Sequence, residues 1–211
     1  FELLTEFKLD LDQEVAAKTR TKTGFRKIRG AAGSGKTLSL AYRAIELLIE
    51  NKKTLFITKN RSLIPYILSC VFRILKFHKT FFLTKQRGQI KYDHFYSFID
   101  RVEQKLGLEG DMRYIKVISN KEATVEKQKE KEKKWGKRFR ELILEVKKEN
   151  PDLFDSLSFD AILVDELQDW DKHQWLIVKE FLSENSEMVA AGDSTQDLYS
   201  SDTSRDFQDL K

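Results

Sequence analysis

The chain has 211 residues, enough for one sizeable domain or for one domain with a small insertion. Apolar residues make up 40% and charged residues 34%, which excludes a disordered chain, and no apolar run approaches the roughly 18 residues that a membrane span needs. The net charge of +4 permits a polyanionic partner without requiring one.

Phe1 to Asp10 carries acid rather than a basic-then-apolar export signal, and the first residue is not methionine, so the chain is expected to be part of a longer polypeptide. Phe25 to Arg29 reads as a short strand and Gly30 to Lys36 as a glycine-rich loop. Thr37 to Glu50 reads as a helix, because Leu38, Leu40, Ala41, Ala44, Ile45, Leu48 and Ile49 recur at helical spacing. Thr54 to Thr58 is a compact apolar strand, and Arg61 to Leu75 a second helix with Pro65 in its first turns. Cys70, among Ile67, Leu68 and Val71, reads as a small buried hydrophobe. As the single cysteine it leaves no disulfide and no cysteine metal site, and it fits a reducing, cytoplasmic setting.

Thr80 to Thr84 and Ile90 to Asp93 are further candidate strands, and a helix is predicted from about His94 to Leu106. Lys and Glu dominate from Asn120 to Asn150. Trp135, Phe139, Leu142, Ile143 and Val146 nevertheless share one helical stripe there, which predicts a long charged helix docked by one face. Its lysines read first as a solvated face and second as a backbone contact for DNA. Ser158 to Val164 is a buried strand ending in acids, Asp171 to Ser183 a helix and Glu187 to Ala191 a further strand. Trp135, Trp170 and Trp175 read as core. Strands alternating with helices predict an α/β fold with a parallel sheet covered on both faces.

Gly30-Ala31-Ala32-Gly33-Ser34-Gly35-Lys36-Thr37 fits G-x-x-x-x-G-K-[ST] without mismatch, between a strand and a helix. Glycines let the backbone wrap a phosphate with its N–H groups turned inward, and the following helix presents its positive end. In such a P-loop, Lys36 reaches the β- and γ-phosphates of ATP and Thr37 holds Mg²⁺. Asp165-Glu166 directly follows the apolar strand Ala161 to Val164. Metal-bound triphosphate hydrolysis needs one carboxylate for Mg²⁺ and another for the attacking water, and the end of a parallel strand places both beside the phosphates. Lys36, Asp165 and Glu166 are therefore expected to be catalytic, and Thr37 and Asp165 to be the metal ligands.

Asp165-Glu166-Leu167-Gln168-Asp169 resembles the D-E-x-Q-D box of the UvrD/Rep-type superfamily 1 DNA helicases. Gly192-Asp193-Ser194-Thr195-Gln196-Asp197-Leu198-Tyr199 is similar to their G-D-x-x-Q-x-I-Y motif. Thr58-Lys59-Asn60-Arg61-Ser62-Leu63 and His94-Phe95-Tyr96-Ser97-Phe98 resemble two further motifs, and Gln13 stands 17 residues before Gly30, where the family places an adenine-reading glutamine. Two departures stand out: Leu38 where several members carry arginine, and Ser200-Ser201-Asp202-Thr203 where the third motif usually continues into Trp-Arg-Gly.

The resemblance implies a RecA-like P-loop domain, the family's 1A domain, over 1–106 and 151–211, with a mainly helical 1B-like insertion over 107–150. It implies that Gln13 reads the adenine, and that Gln168 and Gln196 sense the γ-phosphate and join the catalytic set. Thr58, Asn60, Arg61, His94, Ser97 and Tyr199 are implied to contact single-stranded DNA, with RNA the less expected partner. Amides and hydroxyls can bond phosphate oxygens and aromatic faces can stack bases without choosing among them. The expected function is Mg²⁺-ATP hydrolysis coupled to translocation along single-stranded DNA; the alternative is an ATP-gated nucleic-acid-binding or regulatory module of a repair or defence complex that does not unwind. No membrane partner is expected. The second RecA-like domain that supplies arginines to the ATP in such motors is expected outside this chain, which alone would be nearly inactive.

Overall fold

The computed structural model describes residues 9–19, 24–77, 88–108 and 125–193. Five strands, β1 (Phe25–Arg29), β2 (Lys53–Thr58), β3 (Gln89–His94), β4 (Phe159–Val164) and β5 (Leu182–Gly192), form one sheet in the order β1-β5-β4-β2-β3. Every pairing is parallel. With them run α1 (Leu11–Lys18), α2 (Lys36–Ile49), α3 (Leu63–Phe77), α4 (Phe95–Lys105), α5 (Val125–Glu149), α6 (Pro151–Leu157) and α7 (Lys172–Lys179), with a 3₁₀ turn at Leu167–Asp169.

Side chains of one strand alternate between faces, and here both faces are apolar. Leu55, Ile57, Ile162, Val164, Met188 and Ala190 enter one core with residues of α4, α5, α6 and α7. Phe56, Ala161, Leu163, Val189 and Ala191 enter a second core with α2 and α3. A parallel sheet buried on both sides is what the near-continuous apolar strands predict, so the α/β expectation holds.

The long charged helix is integral to the first of these cores. Trp135, Phe139 and Ile143 are at most 4% exposed and share it with Phe98, Ile177 and Phe181. At Gly136 a Cβ would come within 2.9 Å of the His173 Cβ, so α5 can approach α7 this closely only without a side chain there. Arg140 secures the contact by donating to Glu180 at 2.7 Å. Trp170 and Trp175 are also buried, which bears out the core reading of all three tryptophans. Cys70 is buried at 1% exposure, as expected of a small hydrophobe.

Several boundaries differ from the sequence reading. Helix α1 was not anticipated: Ala17 is its one fully buried residue, so it shows little apolar stripe, and it is started by a capping box between Asp10 and Gln13. Helix α6 does carry a start signal, Asn150 as N-cap with Pro151 behind it. The helix expected to reach Ser183 stops at Lys179, and β5 begins at Leu182, five residues before Glu187. Phe159 pairs with Leu182 and Ala161 with Glu187, so the polar stretch between them is carried in the sheet by a register shift. The candidate strand Thr80–Thr84 lies outside the described residues.

Because Phe139 is buried in the core shared with the sheet, Phe139→Ala should destabilise the whole domain by about 3–5 kcal/mol. Urea unfolding followed by both far-ultraviolet circular dichroism and tryptophan fluorescence checks this. One transition, shifted equally in both signals, is expected; two separate transitions would show that α5 unfolds as an independent unit.

Candidate functional site

Strand β1 ends at Arg29 and α2 begins at Lys36, so the glycine-rich loop spans the gap at the carboxyl edge of the sheet. Gly35 occupies the N-cap of α2 with φ +79°, a conformation that L side chains rarely adopt. A Cβ there would also lie 2.5 Å from Gln13 Nε2. Gln13 donates to the Ser34 carbonyl at 3.1 Å, so the residue expected to read adenine rests against the loop itself. Lys36 Nζ donates to the carbonyls of Gly30 at 2.9 Å and Ala31 at 2.8 Å, which holds its ammonium across the mouth of the loop.

Asp165 follows β4 and is 1% exposed. Its backbone N–H donates to Ile57 O at 3.0 Å, one carboxylate oxygen accepts from Thr37 Oγ1 at 2.9 Å, and the other accepts from the Glu166 N–H at 3.0 Å. Trp170 Nε1 donates to its carbonyl at 3.1 Å. Burial raises the Asp165 carboxyl to about 6, against the opposing pull of the Thr37 hydrogen bond. Glu166 has φ 52° and ψ 52°, a left-handed conformation that costs a non-glycine residue of order 1–3 kcal/mol and is concentrated at functional sites. Gln168 then ties two segments together: its Nε2 donates to Glu166 Oε2 at 2.5 Å and its Oε1 accepts from the Asp193 N–H at 3.0 Å.

These groups border a cleft of about 440 Å³, lined by the loop, Lys36, Thr37, Glu166, Gln168 and Asp193. Thr37 and Asp165 are hard oxygen donors meeting at one point, and the described residues hold no cluster of three or more His, Cys, Asp or Glu side chains fit for a metal. That donor set fits Mg²⁺, which typically takes one or two protein ligands and completes its shell with phosphate oxygens and water. Tyr66, 51% exposed on α3, also lines the cleft. Sequence reading missed it, because nothing in its local pattern shows that this turn of α3 faces the loop. Gln196 lies outside the described residues.

The family model of the UvrD/REP helicase N-terminal domain matches residues 73–204, more than half of the chain. The chain belongs to this family. No curated protein matches it. Membership makes the chain a helicase-family motor domain, of a family that hydrolyses ATP with Mg²⁺ and binds nucleic acid. The matched span contains the Asp165–Asp169 box, while the glycine-rich loop precedes it. Among the described residues no helix is long and apolar enough to cross a membrane.

In this UvrD/REP domain the residues expected to meet nucleic acid gather at the carboxyl ends of β2 and β3, where Thr58 and His94 are register partners. Arg61 Nη2 donates to Ser97 Oγ at 2.9 Å, and Asn60 and Arg61 are exposed. Thr58 is 1% exposed, and its hydroxyl accepts from the Asn60 N–H at 3.1 Å, so it shapes the turn from behind. His94 Nε2 lies 3.0 Å from Lys59 O, and burial lowers the imidazole pKa, with the cations of Arg61 and Lys59 adding to the effect. Lys59, assigned no role from sequence, donates to Asp169 O at 2.8 Å and Gln174 Oε1 at 3.0 Å, and so joins this edge to the acidic loop. Tyr199 lies outside the described residues.

The Asp165 carboxyl, raised to about 6 against an ordinary 3.8, keeps a proton in the folded state that the unfolded chain has lost between those values. Folding stability attributable to this group therefore falls as pH rises from about 4 to 6, by roughly 2–3 kcal/mol in all. Asp165→Asn keeps an acceptor for Thr37 without the buried charge. In metal-free buffer it should melt several degrees above the wild type at pH 7, with the gap closing toward pH 4. A melting difference that does not change with pH would show that burial of the charge is not the cause.

Proposed function

We propose that this domain binds Mg²⁺-ATP in the cleft between the glycine-rich loop and Asp165–Glu166, and hydrolyses it to drive translocation along single-stranded DNA. The observation that carries this reading is the unbroken hydrogen-bonded series Thr37–Asp165–Glu166–Gln168–Asp193, which links the loop, the acidic strand and β5.

The loop N–H groups, the start of α2 and Lys36 bind the phosphates. Thr37 and Asp165 hold Mg²⁺, which when bound neutralises charge on the β- and γ-phosphates. Glu166 orients the attacking water and accepts its proton. Gln168, anchored on Glu166 and the Asp193 backbone, senses the γ-phosphate with Gln196, and Gln13 reads the adenine edge. Asn60, Arg61 and Ser97 meet backbone phosphates, with Thr58 and His94 holding their loop in place and Tyr199 beside a base. Lys59 spans the two sites. Beyond Lys36, the arginines that stabilise the transition state come in this proposal from a second RecA-like body, as the family resemblance implies. The division of the chain is part of the same proposal: 1–106 and 151–211 form the ATP-binding body, and 107–150 is an insertion whose last turns, from Trp135, pack into it.

Two substitutions test this reading in the protein that contains this domain. Lys36→Ala removes a charged phosphate contact and should abolish both ATP binding and turnover. Glu166→Gln should leave ATP binding within a few-fold and slow hydrolysis by about 10²–10⁴. Binding is measured with a fluorescent ATP analogue and turnover by phosphate release on saturating single-stranded DNA. Full turnover in Glu166→Gln would move the water-orienting role elsewhere, and unimpaired ATP binding in Lys36→Ala would remove the cleft from the nucleotide.

A further inference from the structure

A second concave site lies on the face of the sheet covered by α4, toward the amino-terminal ends of β2, β3 and β4. It is a pocket of about 110 Å³ with Lys53, Lys91, Arg101 and Lys105 in its lining and Phe98 and Phe159 among its apolar walls. Four cations thus share one small depression. Two are partly answered: Arg101 pairs with the buried Asp93, and Lys53 Nζ donates to Ser156 O at 2.8 Å beside Asp160, whose carboxylate accepts from the Lys53 N–H. Lys91 and Lys105 have no ion-pair partner among the described residues, and Arg101 Nε is buried without a hydrogen-bond partner there. Burial first, and the neighbouring cations second, make Lys53 and Lys91 easier to deprotonate than an ordinary lysine. Crowded like charges with spare donors are relieved by an anion.

The pocket is also continuous with the edge described above. Ser97, which accepts from Arg61, is followed on α4 by Arg101 and Lys105 at successive steps of four residues, so the three lie on one helix face. From Ser97 to Lys105 the helix advances about 12 Å. The aromatic rings of the pocket, Phe98 and Phe159, are buried at 2% and 4% exposure, so the site offers cations to a phosphate and no exposed face for a base.

We infer that this pocket takes a backbone phosphate of the nucleic acid that crosses the Asn60–Arg61–Ser97 edge, so that the nucleic-acid surface runs down α4 to Lys105 and Lys91. The inference rests on the proposed reading of that edge as a nucleic-acid contact. The contact it adds is electrostatic and independent of sequence.

The test is the double substitution Lys91→Gln with Lys105→Gln, which spares the Arg101–Asp93 pair and so the fold; an unchanged melting temperature verifies that. Fluorescence anisotropy measures the binding of oligothymidylates of about six and about twenty nucleotides over a range of salt concentrations, beside Arg61→Ala. The double variant should bind the long oligonucleotide several-fold more weakly. The slope of log affinity against log salt should be shallower by about 0.7–1.4, one to two phosphate contacts. If Arg61→Ala weakens both oligonucleotides while the lysine variant leaves the slope for the long one unchanged, the pocket inference alone is overturned. If Arg61→Ala leaves both bound as in the wild type, the reading of the edge fails, and the continuous path with it.

Discussion

Five strands that all point the same way impose one constraint from which the site follows: each strand delivers whatever comes after it to the same edge of the sheet. The glycine-rich loop follows β1, Asn60 and Arg61 follow β2, His94 ends β3, Asp165 and Glu166 follow β4, and Asp193 follows β5. These segments are far apart in the chain, yet Thr37 and Asp165, 128 residues apart, end 2.9 Å from each other. An antiparallel neighbour would carry its following loop to the opposite edge. The common direction is in turn possible because both faces of the sheet are covered by crossover helices, which is why helices such as α5 matter to the site.

Within that frame the site works against stability. Asp165 is buried almost completely, with its carboxyl pushed up to about 6, and Glu166 stands in a left-handed conformation. Neither arrangement helps the domain to fold. Both are held by surrounding bonds: Thr37 and the Glu166 N–H to the Asp165 carboxylate, Trp170 to its carbonyl, and Gln168 to the Glu166 side chain. Under the proposed function, Asp165 is the carboxylate that would take the divalent cation and Glu166 the one that would orient the water. Gln168 and Lys59 add a property that single residues lack. Gln168 joins the acid to the start of the β5 loop, and Lys59 joins the acidic loop to the turn that presents Asn60 and Arg61. Under the proposed reading, these bonds give the nucleotide cleft a short hydrogen-bonded route to the exposed edge.

Charge is distributed with the same economy. The lysine-rich helix keeps its apolar stripe of Trp135, Phe139 and Ile143 in the core and Lys133, Lys134, Lys137 and Lys148 outside, where glutamates, as in the Lys134–Glu130 pair, offset them. At the smaller basic pocket on α4, the described acids Asp93 and Asp160 answer Arg101 and Lys53, leaving Lys91 and Lys105 without an ion-pair partner among the described residues. Local concentration of unmatched charge, rather than the total carried by the chain, marks a surface for a polyanion.

Much of this was legible in the residues alone. The glycine-rich loop and the acidic pair are local patterns whose chemistry needs those residues at that spacing, and β2 and β4 are largely apolar runs, so β2, β4, α2 and the parallel α/β class could be read directly. The D-E-x-Q-D box in combination with the G-D-x-x-Q-x-x-Y motif carried the family resemblance. What could not be read is what depends on distant partners. Helix α1 is held by a capping box and by contact with α2 rather than by an apolar stripe, so its sequence reads as neutral. Strand β5 gains its first five residues because Phe159 pairs with Leu182, although Ser183 to Ser186 has no strand character of its own. Tyr66 acquires its place at the cleft only through the packing of α3, Lys59 meets Asp169 and Gln174 only across the sheet edge, and Lys53, Lys91, Arg101 and Lys105 become one cluster only when β2, β3 and α4 are packed together. The sequence by itself determined the chemistry available to this protein, because propensity, periodicity and motif spacing act over a few residues; the tertiary structure decided which of those groups meet, because sheet register and helix packing are settled between segments that no local pattern connects.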